Sequence, residues 1–145
     1  MNIIFYPPPD QLKKFVRYFW SCDHTDHDEQ KTIFFDNYAD KYPRLVFQMD
    51  DRPQLVNHVN QIVPSAYICG IETIPSIATV KANFSHFGVS FNSFALTEIF
   101  KTIANQTLNK NIDLKDFGYK TKKKKLVAAQ SHQQRIEVMC RFILD

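Results

Sequence analysis

Up to Phe91 the apolar residues of this chain recur mostly at alternate positions or in short runs, and beyond Asn92 they recur at every third or fourth. The first spacing predicts strands and the second helices. Ile3-Ile4-Phe5-Tyr6 reads as a short strand that Pro7-Pro8-Pro9 ends, because three rings remove three backbone donors. With Asp10 as an N-cap, Leu12, Phe15, Val16 and Phe19 fall at helical spacing. Strand formers follow, so a short helix over 9–15 and a strand from 16 to 22 are expected. Residues 23–30 are polar and read as a loop, and 50–53 read as a turn. Further strands are expected over 31–36, 43–49, 56–63 (where alternation is weakest), 65–71 and 76–82. The clearest is 84–91, with Phe87, Val89 and Phe91 on one face and His86, Gly88 and Ser90 on the other.

After that strand, Phe94, Leu96, Ile99, Phe100 and Ile103 form a helical stripe that Ser93 can cap. The stretch 105–116 is looser, a turn or partial helix around Leu108 and Ile112, and Gly118 breaks it. Helices follow over 122–130 and 133–144, the second with Ser131 as a cap. Ile136, Met139, Cys140 and Ile143 share one face of the last helix. That face is a candidate dimer or interdomain surface, the alternative being that it packs on the chain's own sheet. Strands first and helices last is the order of an α+β fold. One domain is expected over 1–145, with its sheet at about 3–91 and its helical part at about 93–145.

Composition narrows the picture. The 145 residues hold thirteen Phe, six Tyr and one Trp but only three Gly, which leaves little for Gly-rich phosphate loops. No apolar run approaches the ~20 residues of a membrane helix. Cys22, Cys69 and Cys140 are odd in number and widely spaced, which suits reduced thiols in the cytoplasm. Residues 1–75 carry seven basic and ten acidic side chains, and 76–145 carry eleven and five. Lys122-Lys123-Lys124-Lys125 supplies much of that basic excess. It can meet phosphate, but with no aromatic or Arg interleaved it reads as a solvated helix start or linker.

Little in the chain is poised for catalysis. No Gly-x-Ser-x-Gly occurs, and Cys69 in an apolar strand reads as a small hydrophobe. His24 and His27 among acidic neighbours are the one metal-like cluster, and a hydrated loop explains them as well. His58, His86 and His132 are scattered, and His86 reads as a hydrogen-bonded surface or rim residue. No catalytic residue, metal site or cofactor is therefore expected. The aromatic strands remain. If the sheet curls, Trp20, Phe35, Phe47, Tyr67, Phe87 and Phe91 are candidates to line a small-molecule cavity, although most such rings fill cores. Trp20 and Tyr67 stand out because each brings a polar donor, and Arg44 because its planar fork suits an anionic ligand.

Several short motifs, in order, carry a resemblance. Tyr6 to Trp20 runs from a Pro-rich strand end through Leu12, Val16, Tyr18 and Trp20. Asp40-Lys41-Tyr42-Pro43-Arg44-Leu45-Val46-Phe47 follows, then Gly70 with Thr73, then Gly88-Val89-Ser90-Phe91, and finally Leu108, Asn109, Asp113 and Leu114. Together they resemble the amino-terminal regulatory domain of a group of AraC-type bacterial transcription regulators. The pattern departs from that group at Ala39, Lys41 and Arg44, where Pro, Gly and an acid are usual. Ser90 replaces an Arg, and Asn92-Ser93 replaces Pro-Gly. Any acid–base pair the family makes between those two strands is then lost. The resemblance implies a curled antiparallel sheet or small cupin-like barrel followed by two or three C-terminal helices. It also implies a non-catalytic, homodimeric sensor of a small-molecule effector. DNA would be reached only through a carboxy-terminal pair of helix-turn-helix units of roughly a hundred residues. The chain stops at Asp145, so a cloned fragment or a truncated regulator is expected. The rival expectation is a small enzyme or carrier with an aromatic-lined barrel pocket.

Overall fold

The computed structural model describes residues 2–49, 55–100, 108–117, 122–129 and 131–144. Among these residues eight strands form in chain order: β1 (Asn2–Tyr6), β2 (Val16–His24), β3 (Thr32–Asn37), β4 (Arg44–Gln48), β5 (Ala66–Cys69), β6 (Ser76–Lys81), β7 (Phe84–Phe91) and β8 (Asn111–Asp113). The helices among the described residues are α1 (Ala95–Phe100), α2 (Lys122–Ala128) and α3 (His132–Leu144). Six strands make one antiparallel sheet in the order β1-β2-β7-β4-β5-β8, and β3 and β6 pair separately as a second. The fold is α+β, as expected, with the larger sheet left open at β1 and β8 rather than closed into a barrel.

β7 sits inside the large sheet because its sequence fits burial on both faces: every residue from His86 to Phe91 is buried. Period-two alternation then sorts the side chains. Phe19, Leu45, Phe47, Ile68, Phe87, Val89 and Phe91 form the outer face, and Leu96, Phe100, Leu126, Ile136, Met139 and Ile143 from the helices join the same core. The inner face, with Cys22, Val46, Tyr67 and Cys69, makes a second core with Ala78 and Val80 of β6 and Phe84. Each buried ring or aliphatic side chain contributes ~1.5–3 kcal/mol relative to exposure, so the outer core is the main source of stability.

Local departures have local causes. The helix expected over 9–15 shrinks to one 3-10 turn, Asp10–Leu12. Pro9, not Asp10, occupies the cap position, and Asp10 instead pairs with Lys13 at 2.6 Å. Leu12, Val16 and Phe19 still reach the core, but from a turn and a strand rather than from a helix. Residues 56–63 form no strand. Asn57 accepts hydrogen bonds from the Val59 and Gln61 backbone N–H groups (3.1 and 2.9 Å), folding a turn in which Asn60 takes a positive φ of 62°. With so few glycines, Asn60, Asn83 and Asn109 fill the left-handed positions, which asparagine tolerates best among the other residues. β8 lies inside the expected helical part, paired to β5 and followed by a 3-10 turn, Leu114–Phe117. Ser131 caps α3 by accepting from the Gln134 N–H at 3.2 Å. Phe94 is half exposed and falls outside the α1 stripe, while Ile103, Gly118 and the 50–53 turn lie outside the described residues. Lys122–Lys125 opens α2, and of the four side chains only Lys125 is described, as exposed.

The stripe Ile136, Met139, Cys140 and Ile143 is covered, with Met139 wholly inaccessible. It packs on the outer face of the chain's own sheet, so it is not the dimer or interdomain surface that its periodicity suggested. His132 fastens the start of α3: its Nδ1 is 2.9 Å from Ser21 Oγ on β2, and its ring lies 4.9 Å from Tyr6.

Candidate functional site

Between the two sheets lies a cavity of about 410 Å³, within the size range of small-molecule sites. Strand register builds its large-sheet wall in rungs. One rung is aromatic, running Phe5, Trp20, Gly88, Val46 and Tyr67 across five strands. The next is polar, running Tyr18, Ser90, Arg44, Cys69 and Asn111. On the other side the third places Cys22, His86 and Gln48. Phe35 of β3 and Ala78 of β6 close the cavity from the small sheet.

Trp20 depends on Gly88. A Cβ at position 88 would lie 2.2 Å from Trp20 Cε2 and Cζ2, so the indole occupies the space that only glycine leaves open. Glycine weakens a strand interior, and here the close approach of another group accounts for it.

The polar rung centres on Arg44. Its Nη2 donates to Glu72 Oε1, beyond the end of β5, and to Cys69 Sγ at 3.3 Å. The Cys69 thiol in turn donates to Glu72 Oε1 at 2.9 Å. Glu72 is held in place by a backbone bridge to Asp40 in both directions, at 2.8 and 2.9 Å. Burial disfavours the Arg44 charge, but Cys69 and Glu72 beside it outweigh burial and hold the guanidinium protonated above arginine's ordinary value. Burial pushes the Cys69 thiol up to about 12, with Arg44 opposing and Glu72 adding to the rise. Burial also lifts the Tyr67 hydroxyl above its ordinary value and raises Cys22 to about 11. A nucleophile and a base thus do meet in the cleft wall, yet the thiol is a protonated donor and the carboxylate is committed to Arg44.

His86 is 4% exposed, and burial lowers its pKa to about 4 against a smaller opposing effect of Asp23. Its ring stacks with Phe35 at 5.9 Å, and its Nε2 has no partner among the described residues. It is therefore an interior residue of the cavity wall, not the hydrogen-bonded rim residue that the sequence suggested. Gln48 beside it is fully spent, donating to the Val63 and Pro64 carbonyls and accepting from the Leu55 N–H.

Of the expected ligand residues, Trp20, Phe35, Arg44 and Tyr67 line the cavity. Phe47, Phe87 and Phe91 do not: their odd numbering along β4 and β7 puts them on the outer face, where all three are inaccessible core rings. Arg44 is only partly engaged: its Nη2 goes to Glu72 and Cys69, while its buried Nε has no partner among the described residues. It does lie directly opposite Ser90 in the β4–β7 register, and Ser90 accepts instead from Arg17 at 3.1 Å, an arginine displaced by the bulge between Val16 and Tyr18. In the 23–29 loop, Asp26 and Asp28 accept backbone N–H groups and His24 stacks on Phe84. Among the described residues no three His, Cys, Asp or Glu side chains gather as metal ligands. Sequence reasoning missed Glu72, the Cys69 hydrogen bonds and the seat at Gly88. Gly88, a lone glycine in an alternating strand, was the only signal available.

Residues 4–113 match the model of a family described as a domain of unknown function, DUF6597. The chain belongs to this family. The match runs from β1 through β8 and so includes every residue lining the cavity except Ile3, while α2 and α3 lie beyond it. No curated protein and no solved structure is significantly similar to the chain.

Proposed function

We propose that this chain is the sensory and dimerisation domain of an AraC-type transcription regulator, non-catalytic and cytoplasmic, and that its effector is a small molecule bound between the two sheets. The observation that supports this reading is the 410 Å³ cavity with an aromatic rung on one wall. Ligand binding there would act by population shift, favouring whichever sheet arrangement holds the ligand best. A physical link to the helices exists in β2, where Trp20 faces the cavity while the next residue, Ser21, holds His132 at the start of α3. With the α3 stripe covered, an exposed surface that suits a second copy is the open β1 edge, where Ile3, Ile4 and Phe5 are exposed. DNA contact belongs to a separate helix-turn-helix unit. Among the described residues no helix is long and apolar enough to cross a membrane.

The test is a ligand screen read by the emission of Trp20, the single tryptophan. A saturable shift on binding is expected. Ligands that bind by calorimetry and leave that emission unmoved count against the cavity as the sensory site. The rival reading, a small enzyme or carrier, draws on the 2.9 Å contact between Cys69 and Glu72. Chemical turnover of a bound ligand, lost on Cys69→Ser, would decide for it.

A further inference from the structure

The cavity's charges do not balance, and its aromatic content is high. Three charged side chains stand at it, Arg44, Asp40 and Glu72, while Asp36, exposed and paired with Ile77, lies on the opposite face of β3 from Phe35. Arg44 and Glu72 offset one another's charge, although the buried Nε of Arg44 has no partner among the described residues. Asp40 has no ion-pair partner among the described residues, and the only bond from its carboxylate there is acceptance of the Tyr42 backbone N–H at 3.0 Å. The histidine nearest the aromatic rung, His86, adds no positive charge at neutral pH. Around these charges stand Phe5, Tyr18, Trp20, Phe35 and Tyr67. Aromatic faces carry negative quadrupole density, which attracts cations most strongly where water is displaced. A low-dielectric cleft lined by one sign of charge also concentrates ions of the other.

The three classes of ligand therefore fare differently. An anion could meet the unpartnered Nε of Arg44, but only beside the Glu72 and Asp40 carboxylates. A neutral molecule would gain ring contacts only. A cation gains the ring faces and the unmatched Asp40 carboxylate, and the unpartnered, buried Nε2 of His86 can accept an N–H from an alkylammonium in the tautomer that leaves its lone pair free. Resting on the reading of the cavity as an effector site, we infer that its ligand is a small organic cation, an alkylated or quaternary ammonium carried on an apolar or planar body.

Three probes on one phenyl ring separate these cases: phenyltrimethylammonium, its uncharged carbon isostere tert-butylbenzene, and the anion benzoate. Calorimetry on the intact chain measures affinity, and Trp20 emission reports location. Phenyltrimethylammonium is expected to bind at least about tenfold more tightly than tert-butylbenzene, with benzoate weakest. Asp40→Asn is expected to weaken the cation several-fold and leave tert-butylbenzene unchanged, Asp36→Asn to change neither, and Trp20→Phe to weaken both while keeping a ring in place. Equal or tighter binding of the neutral isostere, preference for benzoate, or no binding of the cation overturns the inference. If either of the other probes binds and moves Trp20 emission, the effector cavity stands and only its charge preference falls. If a broad screen finds no ligand that moves Trp20, the cavity reading itself falls.

Discussion

The seat of Trp20 on Gly88 gives the sharpest test of how the sheet shapes its cavity. In Gly88→Ala the new methyl would lie 2.2 Å from two indole carbons. Ordinary carbon contact is ~3.5 Å, so the ring must withdraw by roughly 1.3 Å. The backbone of β7 cannot give way, since β2 and β4 pair with it on either side. The indole can, because the cavity lies beside it. Overpacking a filled core costs ~1–3 kcal/mol, and an adjacent void puts this case near 1 kcal/mol. For a chain of this size that lowers Tm by about 3 °C. The ring then occupies ligand space, so binding should fall far more than stability. The assay is a double-mutant cycle of Gly88→Ala and Trp20→Leu, read by thermal unfolding, with calorimetry of any cavity ligand on the single variants. Trp20→Leu should cancel most of the stability cost of Gly88→Ala, because the clashing atoms are gone. If Gly88→Ala leaves Trp20 emission, ligand affinity and Tm unchanged, or if the two substitutions add independently, the indole does not lie where this reasoning puts it.

Three further outcomes follow from the same structure. His86 has a folded pKa of about 4, below its ordinary 6.5, so the unfolded chain binds a proton first and stability falls as pH drops from 6.5 toward 4. The loss is up to about 3 kcal/mol, and urea midpoints of His86→Phe should show a flatter pH dependence than the parent over that window. Met139→Ala, at a wholly inaccessible position, should cost ~2–5 kcal/mol, whereas Leu144→Ala, at a half-exposed one, should stay within about 0.5 kcal/mol. Similar losses at both, by chemical denaturation, would mean that α3 does not pack on the sheet. Finally, Cys22 and Cys69, buried and held protonated, should resist a thiol reagent at neutral pH until the chain is denatured, and rapid labelling of the native protein would contradict the closed cavity wall.

What the sequence determined by itself is whatever follows from neighbours along the chain. The alternation in Phe84–Phe91 set which residues of β7 face which way, and the change of spacing after Asn92 set the passage from sheet to helix. The α3 stripe was correctly read as one apolar face, but no local pattern says whether such a face meets its own sheet or another molecule. Short elements escaped for a related reason: β8 has three residues, too few to show a period, and is a strand only because β5 offers it an edge. The same limit applies to the site. Trp20, Arg44 and Tyr67 were visible as unusual side chains on strands, while Phe47, Phe87 and Phe91 looked equivalent to them until register divided the two faces. Glu72 lies 28 residues from the arginine that it neutralises, and Gly88 lies 68 positions after the tryptophan that it seats. Periodicity is a property of one segment and can be read from it, whereas charge pairing and cavity shape are properties of segments brought together, and only the folded chain brings them together.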